Sequence, residues 1–145
     1  MEDLVIRKLQ IEDAESICRI QESITKEPST IDYRKAAEEE AKNKDGVSFV
    51  AELEGKVVGF IITYIIYGGF GLEKSAWIGL FGVDPKYMDR GIGQKMAQKA
   101  FLVLKKSGIH TVFTSVMWDS TDLLSFFKSL GFGRCEFINL KRSID

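Results

Sequence analysis

The chain has 145 residues, 45% of them hydrophobic and 28% charged, with a formal net charge of −1. That length suits one domain burying roughly 70% of the surface its unfolded chain exposes, and the near-neutral charge excludes a nucleic-acid binder working through a basic surface. Two cysteines make no disulfide framework, and a single histidine, His110, excludes a histidine-rich zinc site.

Met1-Glu2-Asp3 starts no signal peptide, so a cytoplasmic location is expected. Residues 4–9 read as a first strand. Residues 12–23 read as a helix with an Ala14/Ile17/Cys18 stripe, which makes Cys18 core filler. Pro28 interrupts. Residues 32–44 read as a second helix, strongly charged through Glu38-Glu39-Glu40 and ended by Gly46. Phe49, Ala51 and Leu53 then alternate with Val50, Glu52 and Glu54, which is strand spacing, and Glu54-Gly55 is a tight hairpin turn. Residues 57–67 are β-branched and aromatic and read as a long central strand. They are also the longest apolar run, too short for a spanning helix, which needs about 20 residues. Gly68-Gly69-Phe70-Gly71 reads as a flexible loop, followed by an apolar strand over 76–83. Ile92, Met96, Ala97, Ala100, Phe101 and Leu104 recur at helical spacing, opposite Gln94, Lys95, Gln98, Lys99 and Lys105. After this long helix come a loop carrying His110, a strand, a short helix and a final strand over 133–142, which holds Cys135. The expected architecture is α+β, a mixed and mostly antiparallel sheet with helices on both faces, forming a single domain over 1–145.

The most informative segment joins the strand 76–83 to the long helix: Val83-Asp84-Pro85-Lys86-Tyr87-Met88-Asp89-Arg90-Gly91-Ile92-Gly93. Gly91 and Gly93 open the helix, where free backbone N–H groups converge and the helix dipole adds positive potential. Such a turn suits an anion, and two glycines let a bulky diphosphate approach the main chain.

This segment resembles the coenzyme-binding core of the GNAT superfamily, the acyl-CoA-dependent N-acetyltransferases. The family pattern is Val-x-Pro, an aromatic, then Gln/Arg-x-x-Gly-x-Gly/Ala; here it reads Val83-x-Pro85, Tyr87, then Met88 to Gly93, with Met88 departing from the usual Gln or Arg. A second family motif, Asn-x-x-Ala-x-x-Leu/Phe-Tyr-x-x-x-Gly-Phe, reads Ser120 to Phe132 here, with Phe127 in the Tyr position. A lone Gly-x-Gly is a weak signal; the ordered set of elements is strong. The resemblance implies acetyl-CoA as acyl donor, with no metal. It implies that Asp89, Arg90, Gly91, Ile92, Gly93 and Gln94 hold the pyrophosphate by main-chain N–H groups, beside Met88. The pantetheine arm would pair with Leu80, Phe81, Gly82 and Val83, its carbonyl meeting a main-chain N–H near Phe81. Ser120 and Phe127 belong to the same coenzyme site. Gly79 and Gly82 fit a bulge or a close backbone approach, or simply a poorly packed strand.

The family commonly places a Glu on the strand before Val-x-Pro. Here the same-parity positions are Ser75, Trp77, Gly79 and Phe81, none of which takes a proton usefully. A primary amine with a pKa near about 10.4 is mostly charged at pH 7, so a deprotonating route has value. Glu73 and Asp119 are the candidate bases; the other readings are a solvated loop charge for Glu73 and a helix N-cap for Asp119. Phe127 removes the hydroxyl that in the family protonates the leaving thiolate. A thiol with a pKa near about 8.5 still leaves tolerably as thiolate.

The acceptor site implied by the resemblance draws on the first two helices and the loop between the third and fourth strands. Its candidate lining is Glu22, Tyr33, Tyr64 and Trp77, with Ser23, Tyr67 and Phe70 beside them. Aromatics and carboxylates suit a cationic amine, and core packing or a solvated face is the alternative for each. The expected activity is direct acetyl transfer from acetyl-CoA to a primary amine, of a small molecule, a protein N-terminus or a lysine. The competing class is a weak or inactive acyl-CoA-binding module, which a gain of turnover in Phe127→Tyr would exclude. Neither a nucleic acid nor a membrane is expected as a partner. The family usually has two strands after Gly131-Phe132 and this chain has residues for one. Either it is trimmed, or a neighbouring subunit covers an edge that is a liability when open, which points to a homodimer.

Overall fold

The computed structural model describes residues 3–25 and 31–145; the break expected at Pro28 lies outside the described residues. One five-stranded sheet has the order β1-β2-β3-β4-β5, with β1 Leu4–Lys8, β2 Phe49–Leu53, β3 Lys56–Tyr67, β4 Lys74–Val83 and β5 Val112–Thr114. The first four strands pair antiparallel, and β5 lies parallel to β4. The helices are α1 Ala14–Ile24, α2 Tyr33–Ala41, α3 Ile92–Lys106 and α4 Thr121–Ser129. Both bounds of the expected second helix move inward, because Asp32 stands outside as the N-cap, its carboxylate accepting from the Lys35 N–H at 3.0 Å.

The β2–β3 turn follows from its two residues. Glu54 and Gly55 both adopt positive φ, 52° and 82°, the primed turn geometry whose twist matches that of the flanking strands. β3 is buried on both faces from Val57 to Thr63, because successive side chains point to opposite sides and helices cover each. Ile61, Ile78, Met96, Ala100 and Leu104 pack on the α3 side. Phe60, Ile62, Ile17, Ile20 and Ala37 pack on the α1/α2 side. Cys18 is half-buried rather than in the core, and burial raises its thiol pKa.

The strand expected over 133–142 does not form. Residues 133–145 carry no strand, and β5 ends after three residues. The side-chain signal for a strand is present in Phe137, Ile138 and Leu140, but a strand needs a hydrogen-bonded neighbour. Here a groove separates the segment from β5. His110 sits exposed in the α3–β5 connection, as expected. Among the described residues no helix is long and apolar enough to cross a membrane.

Candidate active site

The sheet opens where the chemistry is expected. β4 and β5 pair only at Ala76, Ile78 and the residue between them, opposite Val112 to Thr114. Beyond Ile78, β4 continues to Val83 paired with β3 alone, so one edge of Leu80, Phe81, Gly82 and Val83 faces a wedge between the diverging strands. The divergence begins at a bulge. Ile62 pairs with Leu80 and Thr63 with Ile78, leaving Gly79 as the extra residue. Gly79 is needed because the Tyr64 ring lies against it; a Cβ there would come within 2.7 Å of Tyr64 Cδ2. Gly82 is likewise packed, since its Cβ would stand 2.8 Å from Phe60 Cε1 and 3.0 Å from Ile24 Cδ1. These glycines admit aromatic rings from β3, so the poorly packed reading fails at both.

β4 runs through Asp84 and a 3-10 turn, Pro85–Tyr87, into α3. The Asp84 carboxylate accepts from the Lys86 N–H at 3.0 Å and sets this turn. Gly91 is the N-cap of α3 at φ 77°, with no side chain capping it. The first-turn N–H groups of Ile92, Gly93 and Gln94 therefore lack a side-chain cap and lie at the positive end of the helix dipole. Two cations stand nearby over the Tyr87 ring, Lys56 Nζ at 5.6 Å and Arg90 Cζ at 5.3 Å from its centroid. Lys56 was missed in the sequence because it belongs to the start of β3, far away along the chain. Met88 and Asp89 are exposed, and Asp89 also has positive φ, 62°.

The two glycines of this turn work differently. Gly91 supplies a left-handed backbone, and a Cβ on it would meet only Gln94 Oε1, in ordinary contact at 3.7 Å. Gly93 is buried, and a Cβ on it would stand 2.8 Å from Phe81 Cζ and 3.1 Å from Phe126 Cζ. Phe81 and Phe126 stack with centroids 4.9 Å apart, so a pair of rings fills the base of the wedge. Phe127 is buried at 5% exposure and meets Phe132 edge-on at 5.3 Å. The Gly131-Phe132 pair has a structural cause: Gly131 at φ 96° ends α4, the Phe132 N–H returns to the Phe127 carbonyl, and the Phe132 ring packs on Phe127.

Other expected site residues are scattered. Glu73 is exposed at the hairpin end of β4, its carbonyl accepting from Gly68. Six residues of strand separate it from Gly79, roughly 20 Å, so the structure does not bring it to the wedge. Asp119 is exposed in the β5–α4 loop; the N-cap of α4 is Ser120, which makes no capping side-chain bond. Glu22 is exposed on α1, and Tyr33 meets Phe60 edge-on at 6.4 Å. Trp77 belongs to an aromatic cluster with Phe70, 6.1 Å away, and Phe113, 6.2 Å away. Tyr64 remains at the wedge, its ring over Gly79 and 39% exposed. Burial raises its pKa and the Glu40 charge raises it further, so it presents a protonated hydroxyl.

Glu40 was hidden in the charged run of α2. Ala37 three residues earlier marks its face as the inner one, a signal the run of glutamates masks. It is 8% exposed, and its carboxylate accepts from Ser48 Oγ at 3.0 Å. Ser48 Oγ in turn accepts, at 3.0 Å, from the Thr63 N–H, which lies past the last β2–β3 pair, Phe49 with Ile61. Desolvation raises the Glu40 pKa against the Ser48 hydrogen bond and the attraction of Lys8. A raised folded-state pKa contributes stability that is complete below the ordinary carboxylate pKa and lost as pH rises through the raised value. Glu40→Gln keeps an acceptor for Ser48 and cannot ionise. Its urea-unfolding stability relative to the parent chain is expected to improve from pH 4.5 to pH 7.5; a difference independent of pH would refute this. Among the described residues no group of three or more His, Cys, Asp or Glu side chains is placed to hold a metal ion.

Known proteins resemble this chain in sequence and in fold. The model of the acetyltransferase (GNAT) family matches residues 13–132. A mycothiol acetyltransferase of Amycolatopsis mediterranei is 31% identical over 110 residues, 74% of this chain and 36% of that protein. An uncharacterized N-acetyltransferase of Methanocaldococcus jannaschii is 33% identical over 98 residues, 67% of this chain and 43% of that protein. This chain thus spans less than half the length of these curated relatives. An aminoglycoside N-acetyltransferase solved in complex with CoA shares the fold with a TM-score of 0.82 at 16% identity, over 97% of this chain and 94% of that one.

Proposed function

The chain belongs to the GNAT acetyltransferase family, and from that premise we propose that it moves an acetyl group from acetyl-CoA directly to a primary amine, within a ternary complex. The observation that carries this reading is the wedge: the unpaired edge of 80–83 leads directly into the uncapped first turn of α3. The pantetheine amides would pair with that edge as an added strand. The pyrophosphate would accept from the N–H groups of 92–94, with Lys56 and Arg90 supplying positive potential.

The amine nitrogen attacks the thioester carbonyl, and the oxyanion accepts from a main-chain N–H near Phe81. Collapse breaks the carbon–sulfur bond and releases CoA as thiolate, with the amine proton passing to water. No buried acid is assigned to the thiolate, because Phe127 has no hydroxyl. Asp119 is retained as a candidate base, and Glu73 only through intervening water. Tyr64, Glu22, Tyr33 and Trp77 form the acceptor side of this proposal, with Tyr64 at its centre. The relatives' names point to chemically different acceptors, mycothiol and, for an Escherichia coli relative 26% identical over 86 residues, an alanine of ribosomal protein bS18, so a small amine and a protein amine stand as equal acceptor classes. A cytoplasmic location belongs to the same reading; the two unpaired cysteines support it.

Thiol release from acetyl-CoA, measured against polyamines, aminoglycosides, amino acids and N-terminal peptides, tests this. Acceptor-dependent release is expected. Absence of release across the panel, from protein that binds acetyl-CoA, would refute the enzyme reading for those amines. With water taking the proton, kcat/KM is expected to rise about tenfold per pH unit from pH 6 to 8. A plateau below pH 8 would show that a protein group with a lower pKa removes the proton, and Asp119→Asn would then abolish the plateau.

A further inference from the structure

Glu40 holds a carboxylate that the described fold leaves half answered. It is 8% exposed, and among the described residues its one hydrogen bond comes from Ser48 Oγ to Oε1. That oxygen is pinned against the main chain, since a Cβ on Gly46 would stand 2.7 Å from it. The sealed side-chain atoms without a partner are Thr63 Oγ1 and Ser75 Oγ. Oε2 of Glu40 is not one of them, so this unpartnered oxygen reaches solvent. The ion pairs among the described residues join Arg7 to Asp13 and Glu52. Lys8 attracts Glu40 only from beyond ion-pair distance, and its ammonium donates to the Lys44 carbonyl at 2.9 Å. A carboxylate this deep, with a single neutral donor, is costly to ionise unless a cation joins it.

This carboxylate lies on the acceptor side of the sheet. Ala37, three residues before Glu40, packs with Phe60 and Ile62, so that face of α2 covers that face of β3. Tyr64, two residues past Ile62, belongs to the same face, and its ring covers Gly79 where the wedge opens. The Glu40 charge is felt at the Tyr64 hydroxyl. Ser48, which holds the carboxylate, also accepts from the Thr63 N–H, which sets Glu40 over the β2–β3 gap and level with the bulge. The wedge lies on the far edge of β4, two strand spacings away, roughly 10 Å. From there Glu40 does not touch the nitrogen that attacks the thioester. It is placed for a second charge on the same molecule.

We propose that Glu40 selects acceptors carrying a second cationic group, its Oε2 binding that group as an alkylammonium while the other amine lies at the wedge. The proposal rests on the acetyl-transfer reading above and names the acceptor within it: a linear diamine or polyamine. The narrow opening at Glu40 admits a slim chain end and not a ring. With hydrogen-bond contact at the carboxylate, the two nitrogens would stand roughly 7 Å or more apart. The methylene chain between them would cross the Tyr64 ring, whose face attracts a cation. The incoming ammonium supplies the charge that Glu40 lacks, so an uncharged or singly charged acceptor gains nothing at this end.

Cadaverine and pentylamine, which share a carbon skeleton and differ by one ammonium, are the probes. NMR titration of the side-chain carboxyl carbons, with the Glu40 signal assigned from Glu40→Gln, reads binding in CoA-saturated protein. Cadaverine is expected to lower the Glu40 midpoint by about one pH unit, which is about a tenfold preference for the ionised carboxylate. Pentylamine at the same concentration is expected to leave the midpoint in place. In thiol release, kcat/KM for cadaverine is expected to exceed that for pentylamine at least about tenfold. That preference should collapse in Glu40→Gln, and also in Gly46→Ala, which keeps the charge but displaces the carboxylate. Lys8→Met, which removes the attracting lysine, should retain it. A Glu40 midpoint unmoved by cadaverine, or a preference that survives Glu40→Gln, would overturn the proposal while leaving acetyl transfer standing. Absence of release from every amine would refute the transfer reading instead, and the NMR midpoint would still decide whether Glu40 binds the diamine.

Discussion

Gly93→Ala is expected to raise the KM for acetyl-CoA about tenfold, with a loss of stability of about 1–3 kcal/mol from overpacking. The new methyl would stand 2.8 Å from Phe81 and 3.1 Å from Phe126. Neither ring can recede freely. They stack on one another at 4.9 Å, and Phe127 closes on Phe81 from 5.9 Å. Relief comes by moving the rings outward, into the wedge beside the proposed pantetheine path. Gly91→Ala is the control. Its methyl would meet only Gln94 Oε1, at 3.7 Å, but must hold φ 77°, which costs about 1–2 kcal/mol for an L-residue without displacing any ring. Isothermal titration with CoA separates the two. Equal affinities in both variants, or unchanged binding in Gly93→Ala, would show that the ring pair does not border the coenzyme.

The largest effect on stability is expected at Arg7. Its guanidinium donates to both carboxylate oxygens of Asp13, at 2.9 and 2.8 Å, and to Glu52 at 3.3 Å. Asp13 is 4% exposed and also accepts from the Gln10 N–H at 2.8 Å, which holds the entry to α1 against the end of β1. Arg7→Ala leaves a buried carboxylate with that one donor. Removing one partner of a buried pair costs about 3 kcal/mol or more, and for a domain of this size that lowers Tm by about 10 °C. Thermal unfolding followed by circular dichroism measures it. The double variant Arg7→Met/Asp13→Leu, which leaves no lone charge, should recover most of the loss. A loss under about 1 kcal/mol in the single variant would mean the pair behaves as an exposed one.

Much of the fold is legible in local chemistry. The alternation of 49–53, the Glu54-Gly55 turn and the apolar periodicity of 92–104 each specify an element through neighbours in the chain, and each forms where expected. The glycine turn at Gly91 is legible for the same reason, since strand end, proline and glycine sit within eleven residues. Glu40 and Lys56 were not legible, because what makes them notable is contact with residues far along the chain, Thr63 through Ser48 and Tyr87. The tail 133–145 failed in the opposite way. It has the side chains of a strand, yet whether a strand exists depends on a partner edge that a one-dimensional pattern does not encode.

Sequence by itself therefore determined the family, the order of nearly all elements and the glycine turn that opens α3, all of which rest on short-range backbone preference and hydrophobic period. Tertiary structure alone decided which glycine supplies a left-handed backbone and which makes room for aromatic rings, that the wedge opens at the Gly79 bulge, that Glu73 stands away from it while Tyr64 borders it, and that β5 is left with an open edge. These depend on which atoms from distant segments compete for the same space, and that competition is resolved only when the sheet and its two helical layers have packed.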